Sequence, residues 1–195
     1  MNMAGDGAGA TGSTAYGKED AALSLAEILD ARDRRAAGQS EWAVRHRLPL
    51  ASVTLVSPGP VKDSPRKRAL MDKVVSVLMR LLQDAGLVLV ESMRVDARTG
   101  PEFFLVVRGR AIDLKRAAVA LEEGEPWGRL ADVDVFECAK GEAVPIRRED
   151  LGFSSRSCLV CGENAFECMR VRRHDPAALE MRVDELEREA LAGGR

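Results

Sequence analysis

The stretch "DLKRAAVALEEGEPWGRLADVDV", Asp113 to Val135, decides how the rest of this chain is read. In its first half Leu114, Ala117, Ala118 and Leu121 fall on one face at helical spacing. Its second half, "WGRLADVDV" from Trp127, reads as a buried strand that carries two aspartates, Asp132 and Asp134. A helix followed directly by a strand is the closing half of a βαβ unit, so the elements upstream fix the topology.

Working back from there, "EFFLVVRG" and "LVLVESMRV" are apolar, β-branched runs, and the "DARTGPE" between them is short enough for a hairpin. Before them, "SPRKRALMDKVVSVLMRLLQDAG" predicts a helix. Ser64 can cap it, Pro65 suits its first turn and Gly86 closes it, while Leu70, Val74, Val77, Leu78, Leu81 and Leu82 form its apolar stripe. Earlier still, "LPLASVTLVSPGP" predicts a strand from about Leu50 to Ser57, stopped by Pro58-Gly59-Pro60. The order β-α-β-β-α-β is that of the ferredoxin-like split βαβ unit, an α+β fold. It places both crossover helices on one face of the sheet, the first and third strands at the centre, and the fourth beside the first.

Upstream of this core, "SLAEILDARDRRAAGQSEWAVRH" opens with a capping box, Ser24 and Glu27, and puts Leu25, Ile28 and Leu29 on one face. Gly38 is expected to end this helix and a second helix to carry Trp42. Downstream, "HDPAALEMRVDELEREALAGG" predicts a terminal helix capped by Asp175, started by Pro176 and ended at Gly193, serving as a lid or a docking helix. The domain reading is a disordered Gly/Ala-rich tail over 1–20, an α+β domain over 21–155, and a Cys-rich segment with a helix over 156–195 packed on it.

Composition sets outer limits. The 195 residues are 46% hydrophobic, enough for one ordinary core. Basic residues number 29 and acidic 31, for a net charge of -2, which argues against bulk polyanion binding as the main activity. There is no apolar run of about 18 residues, so no membrane span is expected. The N-terminal stretch lacks the basic start and apolar run of a secretory signal, so a cytoplasmic setting and reduced cysteines are expected.

The topology brings three connections to one sheet edge: Pro58–Ser64, Asp96–Glu102 and Glu125–Asp132. Each combines glycine (Gly59, Gly100, Gly128), which lets a backbone approach a ligand closely, with charge. Lys62 and Arg129 supply cations; Asp63, Glu102, Asp132 and Asp134 supply carboxylates. Alternation along a strand points Asp132 and Asp134 the same way, about 6.6 Å apart. Two such carboxylates repel, and a hard cation such as Mg²⁺ compensates them while keeping substrate phosphates in its shell. The reaction class is nucleotidyl or phosphoribosyl transfer, with diphosphate leaving. The plainer alternative is a solvated strand end, with Lys62 and Asp63 an exposed turn ion pair.

"CLVCGENAFECMRVRRH" spaces Cys158-x2-Cys161-x6-Cys168-x5-His174, a number and type of ligands that suits structural Zn²⁺. The competing reading is reduced cysteines that pack the C-terminal segment; Cys138 stands apart as core or hairpin. Arg147, Arg148, Arg156, Arg170, Arg172 and Arg173 surround the cluster, either as a solvated face or as a patch for an acidic carrier protein or CoA-like phosphates.

Five blocks in order, "ARDRRAAGQ", "SPGPVKDS", "TGPE", "DLKRAAVALEEGEPWGRLADVDV" and "CLVCGENAFEC", resemble the holo-citrate lyase synthases, or apo-citrate lyase phosphoribosyl-dephospho-CoA transferases. The resemblance runs from about Leu25 to His174. It implies an enzyme that moves phosphoribosyl-dephospho-CoA from triphosphoribosyl-dephospho-CoA to a serine of the apo acyl carrier protein (gamma) subunit of citrate lyase. With that reaction, Asp132 and Asp134 are expected to hold Mg²⁺, and Arg129 and Lys62 to bind phosphate. Asp63 or Glu102 is then a third ligand or the base for the serine. The same transfer to the malonate decarboxylase carrier is the sister reading, and a non-catalytic carrier assembly factor the other. An RNA-binding module is disfavoured, because aromatics are only 4% and Phe103-Phe104 is the sole aromatic pair available to a sheet surface.

Overall fold

The computed structural model describes residues 23–193; the tail over 1–20 lies outside the described residues. Helix α1 (Leu25–His46) starts on the expected capping box, with the Ser24 hydroxyl accepting from the Glu27 N–H at 3.2 Å and the Glu27 carboxylate accepting from the Ser24 N–H at 2.8 Å. It does not stop at Gly38. A mid-helix glycine costs only about 1 kcal/mol, and Gly38 lies over the Phe104 ring, where an added Cβ would sit 3.8 Å away. The helix ends instead at Arg47, in the left-handed conformation, just before Leu48-Pro49. One helix therefore replaces the two expected. Its first turns leave Leu25 and Leu29 exposed, so the predicted apolar face is not packed there.

Strand β1 (Leu50–Leu55) leads to helix α2 (Pro65–Asp84), capped by Ser64 as expected. Leu70, Met71, Val74, Leu78 and Leu82 are buried along it. Strands β2 (Val88–Ala97) and β3 (Gly100–Arg108) form the hairpin, and helix α3 (Ala111–Gly124) follows. Trp127 to Leu130, expected as strand, is instead part of a 3-10 helix over Pro126–Leu130. Pro126 cannot donate to a ladder and its fixed φ suits a helical start, so strand β4 runs from Ala131 to Ala139. Lys140 and Gly141, both at positive φ, turn the chain into an unpredicted strand β5 (Glu142–Ile146). Helices α4 (Ala165–Arg170) and α5 (Pro176–Ala192) complete the chain.

The result is an α+β protein with one five-stranded antiparallel sheet in the order β2-β3-β1-β4-β5. The first and third strands are interior and the fourth lies beside the first. The main core lies between one sheet face and helices α2, α3 and α5, from Val53 and Val133 through Leu78 and Leu121 to Leu186. Val183, Leu186 and Ala190 of α5 are buried in it, so α5 is a core element rather than a lid. The opposite face carries a smaller cluster under α1, where Trp42 and Ala43 meet Leu50, Phe104 and Val106. Phe103 thus packs against the main core and Phe104 within the smaller one. No helix among the described residues is long and apolar enough to cross a membrane.

Candidate functional site

The pairing registers Leu55↔Ala131, Val53↔Phe103 and Ala97↔Gly100 put all three Gly-containing connections at one sheet edge. Two of them touch: a Cβ at Gly100, whose φ is 112°, would lie 3.1 Å from the Lys62 carbonyl oxygen. Ala131, Val133 and Val135 point into the main core, so alternation turns Asp132 and Asp134 to the α1 face. There Asp132 is paired with Thr54 and Asp134 with Ser52, whose buried hydroxyl has no partner. Asp134 keeps access to water, yet protein atoms crowd its carboxylate. That burial, and then the neighbouring Asp132 charge, raise its pKa above the ordinary carboxylate value. Glu102 faces the same side, buried and paired with Arg35 of α1 at 2.7 Å.

Asp132 has a partner that the sequence placed only in the basic group around the cysteines, as a solvated face or a binding patch. Arg156 donates to the Asp132 carboxylate at 2.8 Å and to Glu122 of α3 at 2.5 Å, bridging the two. Arg148, also buried, pairs with Glu123 and lies 4.0 Å from Glu122. Lys115 and Glu122 were not singled out from the sequence, although both fall inside the buried stripe of α3 where charge is costly. The sequence marks Arg156 only as one of several arginines; the tertiary fold alone aims it at Asp132 and Glu122.

Beside this network opens a cleft of about 1180 Å³, between the start of β4, the 3-10 helix and the chain from Arg148 to Leu179. Five guanidiniums line it: Arg129, Arg148, Arg156, Arg172 and Arg173. Arg129 is partly buried, which lowers its pKa from the usual arginine value, and it reaches the Cys158 carbonyl at 3.5 Å. The cleft is large enough for a nucleotide-sized ligand; Glu122 and Glu123 offset Arg156 and Arg148 in its wall, and Arg129, Arg172 and Arg173 are placed to meet an anionic group.

The remaining predicted site residues lie around rather than in this cleft. The Lys62 ammonium donates to the Ser57 carbonyl, and burial lowers its pKa. Asp63 is held by Arg68 in a two-point ion pair at 2.9 and 2.5 Å, and those hydrogen bonds keep its pKa low. Lys62 and Asp63 therefore do not pair with each other. Gly59 packs against the Glu180 carboxylate, 2.7 Å from where a Cβ would sit. A Cβ at Gly128 would fall 2.1 Å from the Leu121 carbonyl oxygen, so the close approach this glycine permits is to α3 and not to a ligand.

One wall of the cleft contains the cysteine cluster. Ligand atoms of Cys158, Cys161, Cys168 and His174 all lie within 4.8 Å of one another. Gly162, at a φ of 78°, turns the chain so that its N–H returns to the Cys158 carbonyl at 3.0 Å. Asn164 caps α4, which presents Cys168, and Arg172 at positive φ turns the chain back toward His174. The Cys161 and Cys168 sulfurs are 3.6 Å apart, close to the ~3.8 Å expected across a tetrahedron with bonds of about 2.3 Å. His174 Nε2 is buried and makes no hydrogen bond, which leaves its lone pair free to bind a metal ion. Burial opposes the Cys158 thiolate, but the Cys161 and Val160 N–H groups aimed at its sulfur outweigh it and lower the pKa. Cys168 is pushed up to about 11, by burial and then by its neighbouring sulfurs. Three sulfurs and an imidazole can hold a metal ion here. Cys138, half-buried on β4, takes no part.

Fold and site together define an α+β protein with an arginine-rich cleft at one sheet edge, reaching the start of the strand that carries Asp132 and Asp134 and walled in part by a Cys3His cluster. The sequence model of the family described as "Apo-citrate lyase phosphoribosyl-dephospho-CoA transferase" matches residues 23–190, and the chain belongs to that family of transferases. Proteins of that name from Citrobacter koseri and Escherichia coli O139:H28 are each 38% identical to it over 165 residues, which span 85% of this chain and 88% of theirs. A protein of the same name from Shigella boydii serotype 18 matches to the same extent.

Proposed function

We propose that this protein transfers the phosphoribosyl-dephospho-CoA group from triphosphoribosyl-dephospho-CoA to a serine of the apo acyl carrier subunit of citrate lyase, in the cytoplasm. The observation that carries the reading is the arginine-lined cleft that meets the Asp132–Asp134 strand, in a chain of this family. The strand order β2-β3-β1-β4 supports a ferredoxin-like core over about 21–155, with the site at one edge and β5 and residues 156–195 packed around it.

In this reading the donor's phosphates lie along Arg129, Arg156 and Arg172, with Lys62 at the rim. Its nucleotide portion fills the rest of the cleft. The serine oxygen attacks the phosphorus next to the ribose, its proton passes to a carboxylate of the site, the bond to diphosphate breaks, and diphosphate leaves with its electron pair. Asp132 and Asp134 fit a divalent cation: they point to the same sheet face two residues apart, and crowding and the Asp132 charge both penalise the Asp134 anion, which a cation between them would relieve. Bound there, Mg²⁺ would offset charge on the leaving diphosphate. Glu102 is the favoured third carboxylate because it faces the same side of the sheet as Asp132 and Asp134; an arginine holds it, Arg35, as Arg68 holds Asp63. Positioning and charge stabilisation supply most of the catalysis. The Cys3His cluster is a structural Zn²⁺ site that shapes the cleft wall.

Incubating the protein with apo carrier subunit, triphosphoribosyl-dephospho-CoA and Mg²⁺, then weighing the carrier by mass spectrometry, tests the proposal. The carrier should gain the mass of one prosthetic group. An unchanged mass on the citrate lyase carrier overturns the assignment, and a gain only on a malonate decarboxylase carrier reassigns the acceptor.

A further inference from the structure

The strand that carries the two aspartates has an open edge where they sit. β5 pairs with β4 only from Val135 onward, through Val135↔Ile146. The N–H and C=O of Val133, the residue between Asp132 and Asp134, therefore face away from β1 with no strand to meet them. Helix α3 meets them instead. Glu122 Oε1 accepts from the Val133 N–H at 3.3 Å, and the Lys115 ammonium donates to the Val133 carbonyl at 3.1 Å. Seven residues separate the two side chains, about two helical turns, so both lie on the face of α3 that looks at the strand. Both are inside the protein, at 6% and 3% exposure. Glu122 Oε1 also takes Arg156, the residue bonded to Asp132, while Glu122 Oε2 is buried without a hydrogen-bond partner.

We propose that Lys115 and Glu122 are positioning residues for the transfer reaction: they replace a missing strand and fix the backbone between Asp132 and Asp134, and Glu122 aims Arg156 at the cleft. The proposal rests on the functional reading above. A neutral residue such as Gln or Ser can cap a strand edge, and burying a lysine and a glutamate is a costly way to do so. Burial lowers the Lys115 pKa and raises that of Glu122, and their mutual attraction offsets part of this. Charged groups at this point hold the Val133 N–H and C=O and also set the field felt by the aspartates, as outer-shell partners do around metal-binding carboxylates.

Glu122→Gln, Lys115→Met and the double variant are the test, with Asp134→Asn as the control for the aspartates themselves. The double variant removes one cation and one anion together and stands in if a single variant fails to fold. Three quantities are read on folded protein: amide hydrogen exchange of the 131–135 segment, Mn²⁺ affinity by electron paramagnetic resonance, and steady-state transfer to apo carrier. Exchange should accelerate at least about tenfold, Mn²⁺ affinity should fall roughly 10- to 100-fold, and kcat should fall by a similar factor with donor KM changed less than about threefold. Mn²⁺ affinity and kcat within about twofold of the parent protein overturn the proposal. If the parent itself transfers nothing, the functional reading fails on its own, and Mn²⁺ affinity and exchange alone then decide the positioning role.

Discussion

Asp134 shows how a single residue trades stability for chemistry. Its raised pKa means that the folded protein binds the proton more tightly than the unfolded chain does. Stability tied to this group therefore increases as the pH falls through the folded pKa, and the penalty on its charged form is complete above it. Asp134→Asn should raise Tm at neutral and alkaline pH, and this gain should shrink as the pH is lowered until both proteins are neutral at the site. The same substitution should lower transfer roughly 100-fold, the scale of a lost charge-stabilising group. Calorimetry across a pH series and the carrier mass assay check the two halves. Gly128 is constrained in a different way. Ala at this position places a methyl against the Leu121 carbonyl, and Gly128→Ala should destabilise the protein by about 3 kcal/mol, read from urea denaturation. Asp132, Asp134 and Gly128 are all visible in the sequence as an unusual pattern. What Gly128 touches is not, because a glycine that admits a phosphate and a glycine that admits a helix look identical in a string.

At the scale of elements, residues with strong local signals behaved as their chemistry requires. Ser64-Pro65 starts α2 and Gly86, at a φ of 69°, closes it, since both ends are set by neighbours in the chain. Local signals failed where packing outweighed them. Gly38 sits inside α1 because Phe104 packs beneath it, and Trp127 to Leu130 coils because Pro126 starts a 3-10 turn against α3. The Cys-rich segment lies between these cases. Its spacing named the four ligands, but only the turn at Gly162, the Asn164 cap and the turn at Arg172 bring them together. Cys161 is exposed, so Cys161→Ser removes a ligand and almost no packing. Zinc content should fall from about one equivalent to a small fraction, since a structural site closes with four ligands. Limited proteolysis should then cut within 156–174, and donor KM should rise as the cleft wall loosens.

For the whole molecule, near-neutral net charge hides a strong asymmetry. A chain of net charge -2 gathers five arginines around one cleft; Glu122, Glu123 and Asp132 pair with two of them, and Arg129, Arg172 and Arg173 add positive charge. A cleft with that field attracts a triphosphate strongly in dilute salt and weakly in concentrated salt. Raising ionic strength from about 0.05 to 0.5 M should raise donor KM several-fold with a smaller effect on kcat. Arg172→Ala combined with Arg173→Ala should raise donor KM roughly tenfold at low salt and flatten that dependence, the size expected for lost guanidinium–phosphate contacts. Initial-rate kinetics over a salt series measure both.

The sequence by itself determined the alternation of helices and strands, the caps, the carboxylate pair, the four candidate metal ligands and the family. Each of these depends on residues close together in the chain or on a pattern readable in order. Only the tertiary structure decided that Arg156 bridges Asp132 to Glu122, that Lys115 and Glu122 close the edge of β4, and that arginines from 129 to 173 share one cleft. Those contacts join residues 11 to 44 positions apart, and their geometry depends on how α3, β4 and the C-terminal segment pack, which no local periodicity encodes.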